Sequence, residues 1–154
     1  MSGREKSIVL INPKFILNLA EIRRHAACFG FSRVIYTGNR LDFNIERLPR
    51  PLRQRCYESV PVIKSDRPFD LLNGSLIVAI ENRSDFVPLP EFVHPPLGSV
   101  AYVFGPEDSG LSRGVLCQCH SFVRIPAFYS INLAHAVSIV LYSQSLSYLK
   151  SEKP

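Results

Sequence analysis

The stretch YVFGPEDSGL, Tyr102 to Leu111, decides how this chain folds. The apolar run Val100–Phe104 has the composition of a strand and stops at Gly105. Pro106 locks φ and forces a turn, Glu107 and Asp108 follow, and Gly110 closes the loop. A carboxylate beside bare backbone at the carboxyl end of a buried strand stands where open α/β sheets take their ligands. The same residues also suit an ordinary strand-to-helix turn, and the rest of the chain weighs between the two.

Outward from this loop, short β-rich runs alternate with helical patterns. Strands are expected at Ser7–Asn12, Arg33–Thr37, Val60–Ile63, Ser75–Ile80, Ser99–Phe104 and Phe122–Ile125. Helices are expected at Asn18–Phe29, Pro51–Glu58, Ser112–Cys119 and Asn132–Lys150, with a turn at Phe69–Leu72. This alternation predicts an α/β fold, a mostly parallel sheet with helices on both faces. The runs IVLI (from Ile8) and LIVAI (from Leu76) are apolar throughout, as strands buried on both faces must be. Phe86–Pro96 holds Pro88, Pro90, Pro95 and Pro96, which predicts an extended surface loop with Leu89 and Phe92 tucked in.

The first helix has Asn18 as a natural N-cap, an apolar stripe of Leu19, Ile22, Ala26 and Phe29, and Gly30 as its stop. The last helix carries a stripe of Leu133, Ala136, Val137, Val140 and Leu141, and Ile139 and Tyr142 are apolar off it. A helix apolar on two sides needs a second partner, and another copy of the chain is the expected one.

The whole-chain properties bound the function. At 154 residues the chain is expected to form one domain over 1–154. No apolar run reaches a membrane span and the start MSGREKS does not lead into a signal-peptide core, so a cytoplasmic protein is expected. Cys28, Cys56, Cys117 and Cys119 do not form a disulfide framework in a chain of this length. In the cluster Cys117, Cys119, His120 the spacing is too tight for zinc and a second ligand pair is missing, so no metal is expected. His25 and His135 are candidate proton carriers. The net charge of +5 is uneven: Arg40, Arg47, Arg50, Arg53 and Arg55 face only Asp42 and Glu46, with Phe43 and Tyr57 close by. Such a segment serves either as a nucleic-acid face or as a solvated, proline-broken basic surface.

Three segments occur in order: NLAEIRRHAACFG (Asn18–Gly30), YVFGPEDSGLS (Tyr102–Ser112) and IPAFYSINLAHAVSIVLY (Ile125–Tyr142). Together they resemble the three motifs of the SpoU/TrmH family of SPOUT RNA methyltransferases, over about Ser7 to Tyr142. The similarity is greatest to short members without an RNA-binding extension, such as the tRNA wobble-nucleotide 2′-O-methyltransferases. The resemblance implies methylation of an RNA ribose 2′-hydroxyl with S-adenosylmethionine as cofactor, on tRNA rather than ribosomal RNA. It also implies a sheet whose C-terminal third is threaded into a trefoil knot, a rare exception to unknotted topology.

Residue by residue, the family's first-motif Asn and Arg fall on Asn18 and Arg24. Its second-motif Gly and Glu fall on Gly105 and Glu107, and its third-motif Ile-Pro and Ser-x-Asn on Ile125, Pro126, Ser130 and Asn132. The implied catalytic set is Arg24, Asn18, Glu107 and Asn132. The implied cofactor site is Ile80, Gly105, Ile125, Ser130 and Asn132, with Ile80, Ile125 and Ile131 offering an apolar slot for adenine. In the family the Arg is implicated in activating the ribose hydroxyl. A guanidinium stays protonated, so Arg24 can instead grip a phosphate or steady a developing alkoxide, with Glu107 and Asn132 orienting Arg24 and the ribose. The chain departs from the pattern at Ala20 (usually Gly), His25 (commonly Ser or Thr) and Ala134 (usually Ser). Its loop Ile125–Ser130 is about three residues short. These departures sustain an alternative, a SPOUT-like RNA-binding protein without methyl transfer.

Overall fold

The computed structural model describes residues 4–54 and 57–151. Seven strands, β1 (Lys6–Leu10), β2 (Arg33–Tyr36), β3 (Val62–Lys64), β4 (Ser75–Ile80), β5 (Val87–Pro88), β6 (Ser99–Phe104) and β7 (Ser121–Arg124), form one sheet in the order β3-β2-β1-β6-β4-β7-β5. Every pairing is parallel. Leu10 and Ile80 both lie level with Phe104, and Ile80 also lies level with Val123. The loops that follow β1, β4, β6 and β7 therefore leave the sheet at one edge.

The side chains of each strand divide between two cores, because successive residues point to opposite faces. On one face Ile8, Leu10, Val78, Val100 and Tyr102 pack under α1 (Ile16–Cys28) and α3 (Leu133–Ser151), which bring Leu19, Ile22, Ala26, Val137, Val140 and Leu141. On the other, Val9, Ile35, Ile77, Ala79, Ala101 and Val103 lie under Leu72, Phe86, Leu111 and the short α2 (Arg113–Leu116). Helices cover both faces, as expected, but the long ones share a single face. That face also holds a buried polar chain: the two ring nitrogens of His94 meet Tyr102 Oη at 2.6 Å and Ser143 Oγ at 2.9 Å.

Local sequence explains where the elements differ from expectation. α1 starts at Ile16, so Asn18 lies inside its first turn and is not its cap; Phe15 occupies the cap position without a side-chain bond. Around Pro51–Glu58, Pro49 and Pro51 remove donors, and a 3-10 turn at Arg50–Arg53 stands where the helix was expected to start. Leu48 and Leu52 of this segment pack on Ala20 and Ile16 of α1. Arg55 and Cys56 lie outside the described residues. The loop Phe86–Pro96 carries the two-residue strand β5 and a 3-10 turn at Leu89–Glu91. Its Leu89 is buried and its Phe92 packs against the core, as expected. Gly30 follows α1 at φ 68°. In the α3 stripe Ala134 is buried and Ala136 only partly so, while Asn132 caps the helix: its Oδ1 accepts from Ala134 N at 2.9 Å and His135 N at 3.4 Å.

Candidate functional site

At the carboxyl edge of the sheet the strand-end loops enclose a cavity of about 670 Å³. Ile80 closes β4, Gly105 follows β6, Ile125 follows β7, and Asn18 comes from α1 after β1. Ile80, Gly105, Ile125, Ser130 and Asn132 all line this cavity, as do Asn18 and Glu107. Residues spread over more than a hundred positions of sequence are brought to one place by the level strand ends.

A relay of hydrogen bonds ties the three motif segments together. The Glu107 carboxylate accepts from Lys14 N at 2.8 Å, Phe15 N at 3.2 Å and Asn18 Nδ2 at 3.1 Å. Asn18 Oδ1 in turn accepts from Asn132 Nδ2 at 3.1 Å. An ionised carboxylate only accepts, which fixes the orientation of both amides along the chain. Glu107 thereby serves as the acceptor that the start of α1 lacks, a favourable place for negative charge. None of these bonds reaches Arg24, so the expected orientation of Arg24 by Glu107 and Asn132 does not occur within one chain.

The turn after β6 is backbone-tight. A methyl group on Gly105 would stand 3.3 Å from Gly110 C and from Leu111 N, and one on Gly110 would stand 2.8 Å from Glu81 Oε2. That missing side chain lets the Glu81 carboxylate accept from Leu111 N at 2.6 Å. Asp108 is held from the other side: its carboxylate accepts from Arg40 Nη1 at 2.7 Å and Nη2 at 3.1 Å, while Arg40 Nε donates to Asn12 O at 3.2 Å. The Arg40 guanidinium keeps the Asp108 carboxyl below the usual carboxylate range.

The expected cations separate into three groups. Arg40 is occupied in that clamp. Arg47, Arg50 and Arg53 are exposed and enter none of the ion pairs among the described residues; Arg55 is not described. Arg24 is exposed on α1, outside the cavity lining, while its neighbour Arg23 turns inward and donates Nε to Val60 O at 3.0 Å. His25 beside it is half-buried, with Nδ1 unpartnered; burial, ahead of the opposing Glu21, lowers its pKa. The Cys117–His120 cluster does structural work: His120 Nδ1 accepts from Ile77 N at 2.9 Å, and Cys119 Sγ contacts Val115 O, its thiol pushed up to about 11 by burial.

Sequence reasoning missed four contributors: Glu81, the Arg40–Asp108 clamp, and Phe15 and Tyr129, which both line the cavity. Glu81 had a usable signal, since it directly follows LIVAI at the same strand edge as Gly105. The aromatic residues had none.

Residues 5–142 match the model of the SpoU rRNA Methylase family. The tRNA (cytidine-2'-O-)-methyltransferase TrmJ of Methanocaldococcus jannaschii is 29% identical over 152 residues, covering 88% of this chain. The chain spans 65% of that relative's length and 37% of a Yersinia pestis TrmJ. A solved structure described as giving insights into 2-OH methylation of C/U34 on tRNA superposes with TM-score 0.75 at 24% identity, covering 97% of this chain and 99% of that one. The SpoU methyltransferase AviRb of Streptomyces viridochromogenes, solved with its cofactor AdoMet, superposes with TM-score 0.76 at 20% identity, covering 94% and 60%.

Proposed function

This chain belongs to the SpoU rRNA methylase family, and from that premise we propose that it methylates a ribose 2′-hydroxyl of RNA, tRNA in particular, with S-adenosylmethionine as cofactor. The observation that carries the reading is the convergence of three distant segments on one cavity through the Asn132–Asn18–Glu107 relay. The residues fit the cofactor. The cavity has the size of a small-molecule site, Ile80, Ile125, Ile131 and Leu133 supply an apolar wall, and Gly105 leaves backbone bare for hydrogen bonding. When bound, the cofactor supplies the electrophilic methyl carbon.

The chain's own residues then position the nucleophile. Ile80, Gly105, Ile125, Ser130 and Asn132 hold the cofactor, and Asn18 and Asn132, locked by Glu107, present fixed amides to the ribose. Alignment of this kind supplies a large part of the rate. Arg24 steadies the developing alkoxide or the adjacent phosphate, and Arg47, Arg50 and Arg53 contact the RNA backbone. Since Arg24 lies outside the lining of its own cavity, it acts on RNA shared between two copies. Support for a dimer comes from α3, where Ile139, Tyr142, Leu146 and Leu149 form a second, exposed apolar stripe. The C-terminal third is threaded as the family's trefoil knot, and one domain spans the chain. No described helix is long and apolar enough to cross a membrane; the place of action proposed for the chain is the cytoplasm.

Calorimetric titration with S-adenosylmethionine and with its demethylated product tests the reading. One molecule bound per chain is expected, and the absence of binding by both would overturn it in favour of an RNA-binding protein without methyl transfer.

A further inference from the structure

The loop between Ile125 and Asn132 presents two large aromatic side chains to water. Phe128 is 101% exposed and Tyr129 85% exposed, the highest values among the described large apolar residues. Tyr129 lines the cavity mouth; Phe128 stands beside it, outside the lining. Across the mouth, Phe15 also lines the cavity at 52% exposure, with Lys14 Nζ 5.4 Å from its ring centre. Aromatic rings bared on a short loop bring no packing to the fold, so their use lies in a partner.

Resting on the methyl-transfer reading, we propose that Phe128 and Tyr129 form a stacking platform for an unpaired base of the RNA at the cavity mouth. Single-stranded RNA is recognised by stacking splayed bases on aromatic side chains, and every base offers a π-face to such a platform. The charged residues of the lining itself are acidic, Glu81, Glu107 and Asp108, and the cations suited to RNA lie outside it: Lys14 beside Phe15, and Arg47, Arg50 and Arg53 in the segment that packs on Ile16 and Ala20 of α1. A second copy of the chain is the weaker occupant. The exposed stripe offered to such a copy starts at Ile139, six residues into α3 and about 9 Å of helix rise beyond its first residue.

The test uses the full chain and a single-stranded RNA carrying one 2-aminopurine, whose fluorescence falls on stacking. Binding to the wild type should quench the probe. Phe128→Ala should remove the quench and weaken RNA binding about ten-fold, in the range of one lost base–aromatic stack. Phe128→Tyr should restore both, and Phe128→Leu, apolar but not aromatic, should not. Calorimetry should give the same S-adenosylmethionine affinity for Phe128→Ala as for the wild type. RNA affinity and quench unchanged in Phe128→Ala would overturn the platform, as would rescue by Leu or conversion of a dimer to a monomer by the Ala variant. A wild type that binds the cofactor but not RNA overturns the platform alone; one that binds neither overturns the methyl-transfer reading with it.

Discussion

Arg24 and Arg23 are adjacent and cationic, yet only one of them is free to act. Arg23 is committed to Val60 O and the Phe43 ring, and Arg24 is exposed. Arg24→Ala should therefore leave the fold and cofactor binding intact and lower kcat about 10²-fold or more, the usual loss for one transition-state stabiliser. Arg24→Lys separates charge from geometry: activity restored by Lys means charge suffices, and activity still absent means the planar fork is required. Turnover by Arg24→Ala equal to wild type would remove this residue from the mechanism. His94 makes a second residue-scale prediction. Burial lowers its pKa from 6.5 to about 4, and burial also raises that of Tyr102. Between those two values the unfolded chain binds a proton that the folded chain does not, so stability falls as pH drops from 6.5 towards 4. The slope reaches about 1.4 kcal/mol per pH unit. His25 contributes with the same sign, so the measurement is the difference between wild type and His94→Gln in denaturant unfolding across that window. Equal slopes would refute the assignment.

Among the elements, α1 depends on a side chain from another strand's loop. Glu107 accepts from the N–H of the cap residue Phe15, from that of Lys14 before it, and from the Asn18 side chain. Glu107→Ala should cost about 1–2 kcal/mol of stability, as a lost helix cap does, and should also lower methyl transfer. Glu107→Gln, which keeps one acceptor oxygen, should fall between. Thermal melts and turnover of the three proteins decide this, and an unchanged melting temperature in Glu107→Ala would count against the capping role. The same contact shows what could be read in advance. Asn18 follows the pattern of a cap, but the acceptor lies eighty-nine residues away in Glu107, and no local rule reports a partner at that distance. β1, β4 and β6 were legible because IVLI, LIVAI and VAYVF are apolar on both faces, whereas the strand expected at Val60–Ile63 forms as the half-buried Val62–Lys64. β5 was not: two residues in a proline-rich loop carry no period, and only pairing with β7 makes them a strand. That Ile80, Gly105, Ile125, Ser130 and Asn132 would meet in one cavity was legible through motif order, whereas the pairing of Arg40 with Asp108 was not, because no sequence signal reports a partner sixty-eight residues away.

For the whole molecule, the second apolar stripe of α3 is a helix face that one chain leaves exposed. Ile139, Tyr142, Leu146 and Leu149 recur at helical spacing on the exposed side. Tyr142→Glu should turn a dimer into a monomer by light scattering at micromolar concentration, and a wild type already monomeric there would contradict the dimer. Ribose methylation is the central proposal, and one measurement addresses it directly. Unmodified tRNA is incubated with the full chain and S-adenosylmethionine carrying an isotopically labelled methyl group, then digested to nucleosides for mass spectrometry. Label on a single 2′-O-methylated nucleoside is expected. Label on a base, or none on RNA from a protein that binds the cofactor, would contradict it.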